Sequence, residues 1–182
     1  MKKIISMLVA CVAMTAGLAI VTASPAAAGN GFCGNAALKS RANGMYLSAE
    51  LGYGGNLYGA LRARSSSIGP WERFELCQRT EVIMGAPSYI STLQSLANGK
   101  FVSADWNLSG SQRGILRAGW ATTAQGWEFF QIDAGNHPAK IFVTSGLVYA
   151  SAEMGYPGDL YGVVRARAAN VGLWEQYDVV AA

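Results

Sequence analysis

Leu38-Lys-Ser-Arg-Ala-Asn-Gly-Met-Tyr-Leu-Ser-Ala-Glu50 returns as Leu93-Gln-Ser-Leu-Ala-Asn-Gly-Lys-Phe-Val-Ser-Ala-Asp105, and in shortened form as Tyr149-Ala-Ser-Ala-Glu153. The copies carry their surroundings with them. Leu61-Arg-Ala-Arg64, Leu116-Arg-Ala118 and Val164-Arg-Ala-Arg167 follow in the same order. Next come Gly69-Pro-Trp-Glu-Arg-Phe-Glu-Leu76, Gly126-Trp-Glu-Phe-Phe-Gln-Ile132 and Gly172-Leu-Trp-Glu-Gln-Tyr-Asp-Val179. Ser48, Ser103 and Ser151 lie 55 and 48 residues apart, and Trp71, Trp127 and Trp174 lie 56 and 47 apart. Arg62, Arg117 and Arg165 each stand 14 residues beyond their serine. Such coincident spacings identify three internal repeats, about 36–79, 89–133 and 139–180.

Each repeat reads as β-structure. Asn43-Gly44 and Asn98-Gly99 interrupt alternating apolar runs, the strongest short hairpin signal, and predict two-residue type I′ turns. The third repeat has Ser145-Gly146, one position earlier. Tyr46, Phe101 and Tyr149 fall in one column, and Phe74/Leu76, Phe130/Ile132 and Tyr177/Val179 share one face of a strand. The pattern predicts about four short strands per repeat. Three such units must close on themselves to hide their edges. A propeller needs four or more blades, so the β-trefoil and the β-prism remain. Repeats long enough for four strands favour the β-trefoil.

Residues 1–28 read as a cleaved secretory signal peptide: Lys2 and Lys3, an apolar stretch from Ile4 to about Ala23, then Ala26-Ala27-Ala28 after Pro25. The rival reading is an uncleaved anchor. Leu8-Val9-Ala10-Cys11 resembles a lipoprotein box but comes too early in the apolar stretch. Cleavage after Ala28 leaves residues 29–182 as a single domain. The formal charge of +3 (14 Lys+Arg, 11 Asp+Glu) then falls to +1 with the loss of Lys2 and Lys3. Nothing in that balance attracts nucleic acid or an anionic membrane. With Cys11 removed, Cys33 and Cys77 remain, and in an exported chain two cysteines most simply form one disulfide.

The residues in 61–64, 69–76 and 98–105 resemble fascin-like β-trefoil domains, and the likeness runs over all three repeats. Ricin-type trefoils differ, since their repeated Gln-x-Trp signature is absent at Trp71 and Trp174, with Gln125-Gly126-Trp127 the single match. The resemblance implies that the first and fourth strands of a repeat pair in a barrel, which brings Cys33 and Cys77 together. Fascin-like trefoils occur attached to bacterial carbohydrate-active enzymes, some trefoil families are lectins, and animal fascins bundle actin.

Catalytic groups fail through symmetry. Glu50, Asp105 and Glu153 are equivalents, as are Glu72, Glu128 and Glu175, whereas a glycosidase needs two carboxylates in unlike environments. The glutamates after Trp are expected to pair with Arg62, Arg117 or Arg165, and the repeated Trp71, Trp127 and Trp174 to pack in the core. His137, the single histidine, lies in a turn without a nucleophile motif beside it, and multi-histidine metal sites are excluded. Neither a cofactor nor a metal is expected.

Binding residues are sought where the repeats differ, because loops carry function more often than barrel strands. The loops at 52–59 and 155–162 offer Tyr53, Asn56, Tyr58, Tyr156, Asp159 and Tyr161, and repeat two offers Trp106, Asn107 and Trp120. Aromatic rings beside amides and carboxylates suit stacking on a sugar while bonding its hydroxyls. The expectation is a secreted, monomeric, non-catalytic protein that binds extracellular saccharide. A protein-binding module of the protease-inhibitor or actin-binding kind is the alternative, and a hydrolase ranks third.

Overall fold

The computed structural model describes residues 31–83, 85–135 and 138–182. The leader 1–28, Cys11 and His137 lie outside the described residues. Twelve strands form one sheet: β1 Phe32–Ser40, β2 Tyr46–Glu50, β3 Ala60–Ser65, β4 Phe74–Ile83, β5 Ala86–Ser95, β6 Ser103–Asp105, β7 Ile115–Arg117, β8 Phe130–Ile132, β9 Ile141–Val143, β10 Val148–Glu153, β11 Val163–Ala168 and β12 Tyr177–Ala181. All pairings are antiparallel. The ring β1-β4-β5-β8-β9-β12 closes through β12 with β1 and through a bridge between Ala139, just before β9, and Tyr177. The remaining strands form three hairpins, β2–β3, β6–β7 and β10–β11, tied to one another by single bridges. A closed barrel capped by three hairpins is the β-trefoil, and it leaves few open edges.

The core is written in triplets. Leu38, Leu93 and Ile141, then Leu61, Leu116 and Val164, then Phe74, Phe130 and Tyr177 are equivalent and fully buried. Tyr177 is the one member with a polar atom, and its hydroxyl donates to the Ala150 carbonyl at 3.1 Å. Burial pushes that phenol far above its ordinary range. A second, smaller cluster, Ala60, Ile115 and Val163, seals the hairpin layer. Cys33 faces Cys77 across the β1–β4 pair and forms the disulfide. Closing a loop of 44 residues stabilises the fold by about 4 kcal/mol in the chain-entropy account.

Two expectations need correction. The Asn-Gly turns are not two-residue type I′ turns, which would require φ > 0 at both residues. Ser40 N–H donates to Met45 O at 2.8 Å and Gly44 N–H to Ser40 O at 2.9 Å, so the loop spans residues 41–44. Only Gly44, at φ +70°, and its equivalent Gly99, at +66°, are left-handed. The asparagine serves as a bracket: Asn43 Oδ1 accepts from Met45 N–H at 3.1 Å while Nδ2 donates to Ala63 O at 2.8 Å. Asn98 repeats this with Lys100 and Ala118.

The repeated tryptophans, in turn, are not core residues. Each stands in a short 3-10 turn, at Pro70–Glu72, Gly126–Glu128 and Leu173–Glu175. The indole stands three positions before the buried Phe74, Phe130 or Tyr177, ahead of the strand that buries them, and Trp127 is 51% exposed.

A candidate binding face on repeat two

The repeated arginines link each repeat to another. Arg62 donates through Nε and Nη2 to Tyr161 O at 3.1 and 3.0 Å and through Nη2 to Gly158 O at 3.2 Å. Its Nη1 reaches the Tyr53 hydroxyl at 2.7 Å, and that hydroxyl donates to Asp159 Oδ1 at 2.9 Å. Arg165 makes the same set with Arg113 O, Gly110 O and the Tyr156 hydroxyl. Repeat one thus holds the loop of repeat three, and repeat three holds the loop of repeat two. Tyr161 O and Arg113 O receive these charge-assisted bonds just beyond the 3-10 turns, while Gly158 O and Gly110 O also accept the backbone N–H of Tyr161 and Arg113.

The glutamates after Trp do not meet these arginines, contrary to expectation. Glu72, Glu128 and Glu175 each turn back to accept the backbone N–H three residues earlier, at Gly69, Gln125 and Gly172, over 2.7–3.0 Å. The other carboxylate set pairs with a second arginine. Glu50 Oε1 meets Arg64 Nε at 2.5 Å and Glu153 Oε1 meets Arg167 Nε at 2.6 Å. Burial raises both carboxyls above their ordinary range, with the facing arginines opposing the shift.

Repeat two keeps the glutamate cap and departs from the arginine part of this scheme. Leu108 stands where Tyr53 and Tyr156 stand, and Gly119 stands where Arg64 and Arg167 stand. Lacking both partners, Arg117 donates to Asn56 O and lies 3.4 Å from Asp105 Oδ2. Burial lowers its pKa, and the Asp105 charge opposes that. Trp120 covers it, with the guanidinium carbon 3.6 Å from the ring centroid, a cation–π contact. Ser65 and Ala168 occupy the Trp120 position in the other repeats.

Trp120 and Trp127, 59% and 51% exposed, line one depression of 350 Å³. Its rim carries Asn107, Thr122, Thr123 and Gln125, with the buried Asp105 and Ser103 at its base. The corresponding depression on repeat one, 400 Å³, has a single aromatic, Trp71, flanked by Arg64, Ser65 and Ser66.

The sequence-derived residues therefore fall in separate places. Trp120 and Asn107 meet in the depression. Tyr53, Tyr156 and Asp159 are committed to the arginine network, and Asn56 Nδ2 donates to Gln112 at 3.1 Å in the hairpin layer. Tyr58 and Tyr161 project from that layer, 36% and 42% exposed. Trp106 packs elsewhere, against Gly146, with its Nε1 donating to Ser145 Oγ at 3.1 Å.

Trp127 and Gln125 belong to the depression without having been singled out, because a threefold-repeated tryptophan reads as structural. A further depression, of 850 Å³ between Gln78, Tyr89, Gln131, Lys140, Phe142 and Tyr149, has no mark in the sequence pattern. There Phe142 packs edge-on to Tyr149 at 5.2 Å, which leaves Tyr89 as its one exposed ring. Among the described residues, no cluster of three or more His, Cys, Asp or Glu side chains is arranged to hold a metal.

No family model matches the chain, and no curated protein matches it. Solved structures do. The Rhizoctonia solani agglutinin is 18% identical with a TM-score of 0.57, over 83% of this chain and 96% of that one. A structure described as BEL beta-trefoil is 10% identical with a TM-score of 0.54, over 80% and 90%. A GlcNAcα1-4Gal-releasing endo-β-galactosidase from Clostridium perfringens is 11% identical with a TM-score of 0.57, over 82% of this chain. This chain spans 33% of that enzyme. At these identities the likeness is one of fold, and the fold is the β-trefoil.

Proposed function

We propose that the protein is a secreted, non-catalytic binding module of the fascin-like β-trefoil kind, which recognises extracellular saccharide through the Trp120–Trp127 face. One observation carries this reading: two exposed indoles share a single depression rimmed by amides and hydroxyls, and they do so on one repeat only. Indole faces stack on the apolar faces of pyranose rings, while Asn107, Gln125, Thr122 and Thr123 supply donors and acceptors for the equatorial hydroxyls. Trp120 is held in place by its stack on Arg117, so little side-chain entropy is lost on binding. The name of the fungal agglutinin agrees with a binding role. The carboxylates support a non-catalytic role: Glu72, Glu128 and Glu175 are used as turn caps, Glu50 and Glu153 face Arg64 and Arg167, and Asp105 faces the buried Arg117.

Pull-down on insoluble polysaccharides combined with a glycan array tests the proposal. At least one neutral glycan is expected to bind, and Trp120→Ala or Trp127→Ala to abolish its retention. A blank array, or retention unchanged in both variants, refutes the reading. Export is tested separately by N-terminal sequencing of the chain from the culture medium. A start at Gly29 is expected, and a start at Met1 refutes cleavage.

A further inference from the structure

Three departures from the repeat pattern meet at one junction, between the loop of repeat two and the turn of repeat three. Trp106 replaces Leu51 and Met154, Arg113 replaces Tyr58 and Tyr161, and Gly146 replaces Asn43 and Asn98. At the other two junctions the asparagine amide bonds a backbone carbonyl at 2.8 Å. Gly146 has no such group, and Trp106 lies over it. A Cβ at position 146 would stand 2.4 Å from the Trp106 Cη2 atom. The tryptophan thus explains why glycine comes one position early in the third repeat. The shift leaves Leu147 at φ +53°, where the other repeats have Gly44 and Gly99. A side chain in that conformation costs about 1 kcal/mol. This junction gives up a bracketing hydrogen bond and a relaxed turn, and strain of that kind collects at functional sites.

What the junction holds instead is a cationic cleft of 460 Å³, walled by Trp106 and Val148 and carrying Arg113, Arg165 and Arg167. Arg165 is committed to Arg113 O, Gly110 O and Tyr156. Arg113 is exposed, with its guanidinium 5.2 Å from the Trp106 ring centroid. The Arg167 side chain is 48% exposed and shares the buried Glu153. Three guanidiniums against one buried carboxylate leave the cleft positive. The forked donors of arginine match a carboxylate or a sulfate ester.

We propose that this junction binds the anionic substituent of an acidic saccharide. Arg113 makes the direct contact, Arg167 assists, and Trp106 and Val148 offer the sugar ring an apolar wall. A planar indole beside a free guanidinium fits a charged pyranose better than an acidic peptide, which presents no apolar ring face. The site shares no residue with the Trp120–Trp127 depression and does not depend on it.

Arg113→Tyr installs the residue that both other repeats carry at this place, so it is expected to fold as wild type, which urea unfolding verifies. Calorimetric titrations with an oligogalacturonate, a sulfated oligosaccharide, a neutral cello-oligosaccharide and poly-glutamate, at low and physiological salt, test the proposal. One of the two acidic saccharides is expected to bind, to weaken with salt, and to lose about tenfold in affinity in Arg113→Tyr. Trp71→Ala, on repeat one, is expected to leave that affinity unchanged. Failure of both acidic saccharides to bind, or equal binding by Arg113→Tyr, overturns the proposal. Poly-glutamate binding as tightly as either saccharide overturns its saccharide part.

Discussion

Repeats one and three build the same face twice, and repeat two builds another. In the matching pair, a tyrosine hydroxyl and two loop carbonyls saturate a buried arginine, and a second arginine covers a buried glutamate. Repeat two lacks the tyrosine and the second arginine, and it roofs its arginine with an exposed indole. Most residues that obey the symmetry hold the barrel and its hairpins together, although the repeated Trp127 also lines a cleft. The residues that break it, Trp106, Arg113, Trp120 and Gly146, line the two clefts that suit a ligand. In a repeat protein the departures are therefore where function is to be sought.

The largest effect expected from breaking this comparison is structural. Arg62→Ala and Arg165→Ala each leave loop carbonyls without their charged donor and should lower stability by about 3 kcal/mol in urea unfolding. A loss near zero would mean that the guanidiniums do not hold the neighbouring loops. Next comes Trp120→Ser, which copies repeat one. It should cost about 2 kcal/mol of saccharide binding, roughly thirtyfold, with little change in unfolding. Trp71→Ala serves as the matched control and should leave binding intact.

A smaller effect separates the turns. Leu147→Gly should stabilise the protein by about 1 kcal/mol, whereas Gly44→Ala should destabilise it by a similar amount. Equal responses at the two sites would remove the distinction between the relaxed and the strained turn.

The subtlest effect is on pH dependence. Burial raises the carboxyls of Glu50 and Glu153 in the folded state above the ordinary carboxylate range. The native state therefore holds protons that the unfolded chain has released. Their contribution to stability is complete below the unfolded pKa and is lost as pH rises through the folded one. The double variant Glu50→Gln/Glu153→Gln should flatten the melting temperature between pH 4.5 and neutrality relative to wild type. Parallel profiles would contradict the assignment.

The barrel was legible because its determinants are periodic. Ser-Ala-acid triplets, alternating apolar residues and paired cysteines all register in one dimension, and the strands, the core triplets and the Cys33–Cys77 bond follow from them. The site was legible only in fragments. Trp127 is a threefold-repeated residue at the head of an apolar strand, which reads as core, and only the folded turn at Gly126–Glu128 shows its indole exposed. Glu72, Glu128 and Glu175 read as partners of the repeated arginines because no charge pattern marks a bond to a backbone N–H three residues away. The arginine-to-carbonyl bonds join residues 52 to 99 positions apart, between repeats, and only the arginine–tyrosine bonds stay within one. The early glycine at 146 has its cause in Trp106, a contact that only the folded chain makes.

The central claim, that one repeat of three carries the saccharide face, is tested most directly by mapping amide chemical shifts during titration with a bound oligosaccharide. The account predicts perturbations concentrated at residues 103–107 and 120–128, with the equivalent stretches 48–52, 65–72, 151–155 and 168–175 unmoved. Shifts distributed over all three repeats alike, or confined to repeats one and three, would contradict it.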